Sequence, residues 1–166
     1  MKWPQFLALA GALMVALTAC GGKAATPESG MINPGDKVGN FTITTRGGDD
    51  VVYITNLHCP FEDPVETCEV PVGTKINISQ GFYPPKGSDS FEEAWSSQTY
   101  SLVMEGRPVN LPAFGYDEWK HPLVGTIRVW NVVIVANKPG TISAVSSGVF
   151  SGEAWNYTAK IIFTKP

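Results

Sequence analysis

From residue 41 to the C-terminus, apolar residues recur at every second position in short runs, punctuated by glycine, proline and acidic residues. That period belongs to strands with one buried face. Residues 41–45 (FTITT) and 51–55 (VVYIT) flank a Gly47-Gly48-Asp49-Asp50 turn and predict a hairpin. Residues 75–79 (KINIS) alternate cleanly, and Pro84-Pro85 stops any continuation beyond Gly81. Strand character returns at 100–104, a Gly106-Arg107-Pro108 turn follows, and 109–111 offers a short return strand. Residues 116–121 read as a loop. The longest β-type run, 126–136 (TIRVWNVVIVA), is apolar on both faces and therefore predicts a central strand. Turns at 137–140 and 151–153 separate two further strands, 141–145 and 157–164. One short helix is expected over 91–97: Ser90 and Glu93 match a capping box, and Glu92 and Glu93 suit the positive end of the helix dipole. About eight or nine strands with regular turns predict a mainly β fold, a single β-sandwich.

The N-terminus follows a different pattern. Lys2 precedes an uncharged apolar stretch, 6–17, that is shorter than the roughly 20 residues a spanning helix needs and has the layout of an export signal. Leu17-Thr18-Ala19-Cys20 resembles the bacterial lipobox. The resemblance implies a lipoprotein signal over 1–19, a diacylglycerol on the Cys20 thiol, cleavage before Cys20, and an acyl chain such as palmitate on the new amino group. Residues 20–35 are small, polar and turn-prone and read as a tether, whose span would be about 20 Å for about 15 flexible residues. The domain is then expected over 36–166. Its closing stretch, 124–166, with a Pro-Gly turn before one strand and a Gly turn before the last, resembles the immunoglobulin-like domains of bacterial surface proteins.

Composition narrows the function without naming it. A formal net charge of −3 with 16% charged residues offers no basic surface for nucleic acid. Of three cysteines the lipid claims Cys20, and export favours a disulfide between Cys59 and Cys68. The competing use of that pair is a metal site completed by His58 and His121, although the Cys-x8-Cys spacing is wide for zinc. An exported hydrolase with a shallow loop-built site is the other alternative. Gly148-Val149-Phe150-Ser151-Gly152 places its serine one position late for a nucleophile elbow and reads as a turn. The carboxylates of Glu92, Glu93, Asp117, Glu118 and Glu153 fall at a helix start or in apparent turns. No catalytic residue, cofactor or metal is therefore expected.

The aromatics give the better lead. Tyr83, Trp95, Tyr116 and Trp119, with Asp117 among them, fall outside the expected strands, where a glycan- or protein-binding face would use them. The competing reading is that these rings cover an end of the sandwich. The expectation is a non-catalytic binding module, held at the cell envelope by the Cys20 lipid and facing a glycan or an envelope protein.

Overall fold

The computed structural model describes residues 30–57, 59–62, 65–82, 90–150 and 152–166. The expected signal stretch, 1–19, and Cys20, His58 and Tyr83 lie outside them. Two six-stranded sheets carry the chain. The first runs β1 (Lys37–Val38), β2 (Phe41–Thr45), β10 (Gly125–Ala136), β6 (Lys75–Phe82) and β3 (Val52–Tyr53), with β9 (Tyr116–His121) on the first half of β10. The second runs β4 (Phe61–Glu62), β5 (Val65–Pro71), β12 (Glu153–Thr164), β11 (Gly140–Phe150), β7 (Thr99–Met104) and β8 (Arg107–Pro108). Both sheets are mixed, since β3 lies parallel to β6 and β5 parallel to β12.

The sheets share one core. Ile43, Ile76, Val132 and Ile134 come from the first and Leu102, Ile142, Ile161 and Phe163 from the second, all fully buried. The rings of Phe41 and Phe163 meet across the gap at 5.7 Å. Each such side chain contributes about 1.5–3 kcal/mol by leaving water. The fold is mainly β, in the manner of a sandwich, with one short α-helix, α1 (Phe91–Ser96). The Ser90 hydroxyl accepts from the Glu93 backbone N–H at 3.4 Å, as the capping pattern requires. The 126–136 run is β10, hydrogen-bonded to β2, β6 and β9, and is central as expected. Cys59 and Cys68 form the disulfide, with an S–S distance of 1.97 Å.

Five local expectations are corrected. Residues 41–45 and 51–55 form no hairpin: β2 pairs with β10 while β3 pairs with β6, so two strands stand between them. Burial decides this, because the apolar face of β2 gains more against the long apolar β10 than against its two-residue neighbour. Residues 116–121 are a strand, not a loop; all but the last residue of β9 are exposed, so the alternation that reveals other strands is missing. Strand β6 runs past Gly81 to Phe82, and the expected return strand at 109–111 lies earlier: Arg107–Pro108 pair with β7, Val109 donates its N–H to the Leu102 carbonyl, and Leu111 already opens a 3-10 turn, Leu111–Phe114.

The fifth concerns the tether. Its last residues are packed onto the domain: Ile32 is fully buried, donates its N–H to the Pro108 carbonyl at 2.8 Å and accepts from the Asn110 N–H at 2.9 Å. Asn110 Nδ2 also donates to Asn33 Oδ1 at 2.9 Å, so hydrogen bonds join the buried Ile32 in docking this stretch.

Candidate functional site

Strand β9 extends the first sheet beyond the end of β2, and its two faces carry different chemistry. The register sets Tyr116 opposite Trp130 and Glu118 opposite Arg128, while Asp117 meets Val129 and Trp119 meets Ile127. Side chains alternate along a strand, so Tyr116 and Glu118 face one way and Asp117 and Trp119 the other. The aromatic set read from the sequence is thereby split between two places.

On the face toward the second sheet, Arg128 occupies a core position and is only 6% exposed. Its Nη1 and Nη2 donate to the Glu92 carboxylate at 3.0 and 2.6 Å, and its Nε and Nη2 donate to Glu118 Oε2 at 2.9 and 2.7 Å. Three rings enclose it: Phe91 at 4.7 Å, Trp95 at 5.0 Å and Tyr116 at 4.5 Å from the guanidinium carbon. Hydrogen bonding to Glu92 raises the Arg128 pKa, and the same bond holds the Glu92 carboxyl below its usual range. Trp95 continues into Trp130 at 4.6 Å and Tyr100 at 5.8 Å. Burial pushes the Tyr100 phenol up to about 12. This cluster pins α1 across the end of the sandwich, which is the structural role weighed for Trp95 and Tyr116. Glu92 does more than start a helix; it supplies the ion pair that docks it.

On the outer face an open groove of about 750 Å³ runs between β9 and the loop after β2. Trp119 and Tyr53 supply its rings, Ile127 and Val129 its apolar floor, and Asp117 and Arg46 its polar wall. Trp119 is 45% exposed, so much of its ring faces water. The Asp117 carboxylate accepts from Asn131 Nδ2 at 2.7 Å and Arg46 Nη1 at 3.1 Å, and Arg46 also pairs with Asp49 at 2.9 Å. Gly81 belongs to this surface for a steric reason: a Cβ there would overlap Val129 Cγ1. Arg46, Tyr53 and Asn131 were not singled out from the sequence; the first two belong to a turn and a short strand whose approach to β9 depends on the sheet order.

The metal reading loses its ligands. Cys59 and Cys68 approach Glu66, with ligand atoms within 4.8 Å of one another, but the two sulfurs are bonded to each other and are not thiolates. His121 ends β9, and its Nδ1 accepts from the Leu123 N–H at 3.2 Å.

No protein-family model matches the chain, and no curated protein matches it. Two solved structures are similar to it at a low level. The cysteine protease inhibitor EhICP2 from Entamoeba histolytica is 13% identical with a TM-score of 0.37, over 69% of this chain and 94% of the inhibitor. PbICP-C, solved in complex with falcipain-2, is 17% identical with a TM-score of 0.35, over 71% of this chain and 100% of its own. Both likenesses are too distant to bear on what this chain does.

Proposed function

We propose that the protein is a non-catalytic binding module of the cell envelope, lipid-anchored through Cys20, that presents the outer groove of β9 and β10 to a glycan. The observation that carries this reading is the pairing of a half-exposed indole, Trp119, with a fixed carboxylate, Asp117, in one open groove. A sugar ring has an apolar face for the indole and hydroxyls for the carboxylate. Arg46 Nη1 and Asn131 Nδ2 both donate to Asp117 Oδ2 and fix the carboxylate in the groove wall. The immunoglobulin-like character of 124–166 belongs to the same reading, with sheets serving as a frame and one exposed strand as the contact surface. The lipid would hold that frame at the membrane, each buried methylene contributing about 0.8 kcal/mol, with more than one chain required for stable anchoring.

Two experiments test the two halves. Wild-type protein on a glycan array is expected to bind a defined set of sugars, and Asp117→Ala to lose them by tenfold or more; undiminished binding by the variant would remove the groove from the account. Cys20→Ser is expected to move the protein from the membrane to the soluble fraction, and a variant that stays in the membrane would end the anchoring claim.

A further inference from the structure

A second recess opens between the two sheets at the free edge of β6. Strand β3 pairs only with Ile76 and Asn77, so beyond Asn77 this edge has no strand partner among the described residues. The recess has a volume of about 330 Å³, within the range of small-ligand pockets. Trp155 and Tyr157 of β12 and Ile78 of β6 supply apolar surface, and Ser146, Asn77 and Gln80 supply polar groups.

Three observations set its chemistry. Gln80 is 5% exposed, and its side-chain carbonyl oxygen has no hydrogen-bond partner. The Gln80 amide cannot be turned round to cure this. Its Nε2 donates to the Ser79 carbonyl at 3.1 Å, which only a donor can do, and to the Ser146 hydroxyl at 2.9 Å. A buried acceptor left unpaired is costly, so such atoms call for a donor. Second, none of the described residues lining the recess is charged, so an ion entering it would lose water without compensation. Third, Trp155 lies over the backbone of Gly148, where a Cβ would crowd its indole at 2.9 Å from Nε1; the missing side chain lets the ring lie against β11.

We infer that this recess is a binding site for a small uncharged ring-shaped molecule carrying hydrogen-bond donors, stacked beside Trp155 with an O–H or N–H group directed to Gln80 Oε1. The site borders the outer groove through Tyr53 and Ser79 but does not depend on what the groove holds. Donors of this kind come from sugar hydroxyls or from ring amides, and the two sources are separable.

The test titrates the ¹⁵N-labelled full chain, in detergent, with D-glucose and separately with cyclo(Gly-Gly), reading the Trp155 indole N–H and the Gln80 side-chain amide by NMR. Saturable shifts at both groups with at least one probe are expected, and the probe that acts identifies the donor type. Gln80→Met, which keeps the length and removes the acceptor, is expected to weaken that probe about tenfold or more. Should that variant fold poorly, the wild-type titration still decides. Silence at Trp155 and Gln80 with both probes, shifts confined to Trp119, or unchanged binding by a folded Gln80→Met would each overturn the assignment.

Discussion

Arg128 shows how a single residue can be visible in the sequence and illegible in role. A charge inside TIRVWNVVIVA stands out, but which face of the strand it takes, and which acids meet it, depends on β9 and α1 arriving from distant parts of the chain. The partners are unequally buried: the Arg128 side chain is 8% exposed, against 70% for Glu92 and 39% for Glu118. Removing the arginine leaves carboxylates that water can solvate, whereas removing both carboxylates strands a buried cation. Thermal melts should therefore rank Glu92→Ala/Glu118→Ala below Arg128→Met in Tm by several degrees; the reverse order would show that Arg128 is solvated in the fold. Tyr100 adds an alkaline prediction. Its folded pKa, about 12, exceeds the unfolded value of about 10, so stability is intact below pH 10 and falls as pH rises from there toward 12. Tyr100→Phe should flatten that fall in urea titrations at pH 9 and 11, and an unaltered slope would count against phenol burial as its cause.

At the scale of elements, the sequence was most informative where burial is one-sided. Strand β10 and helix α1 were legible because the first carries apolar residues on both faces and the second begins with a capping box. Strand β9 was not, since its residues are nearly all exposed and it is held to β10 by backbone pairing and polar side-chain bonds and not by an apolar face. The β2–β3 hairpin failed because turn chemistry reports on adjacency in sequence, while pairing was settled by the apolar β10. Helix α1 buries no residue fully and depends on its ion pair, which gives it an acid limit. The folded-state pKa of Glu92 is depressed, so its contribution is present above the ordinary glutamate range and is lost as pH falls through the depressed value. Near-UV circular dichroism should show the tryptophan signal weakening on acidification before global unfolding, and Glu92→Gln should show the weakened signal already at pH 7. A wild-type signal constant until the whole fold melts would contradict this. The Cys59–Cys68 bridge closes a loop of about 10 residues; its removal by Cys59→Ala/Cys68→Ala is expected to cost about 2.5–3 kcal/mol and to lower Tm by roughly 10 °C.

For the whole molecule, the two sheets form a gradient from an apolar base around Phe41 and Phe163 to an aromatic and polar end around Arg128, Trp130 and Gln80. The sequence revealed the β class and the disulfide, because composition, turn spacing and cysteine count express them directly. The candidate site was half legible. Residue type found Trp95, Tyr116, Asp117 and Trp119, but the alternation of β9, which an exposed strand does not display in its sequence, sorts Tyr116 from Asp117 and Trp119, while Trp95 reaches the inner face from α1. The central claim is that ligand binding belongs to the outer face and aromatic packing to the inner one. Parallel titration of Trp119→Ala and Trp95→Ala with the best-bound glycan of the array, with Tm recorded for both, tests it most directly. The account predicts that Trp119→Ala loses binding at an unchanged Tm, and that Trp95→Ala keeps binding at a lowered Tm; binding lost in Trp95→Ala and kept in Trp119→Ala would contradict it.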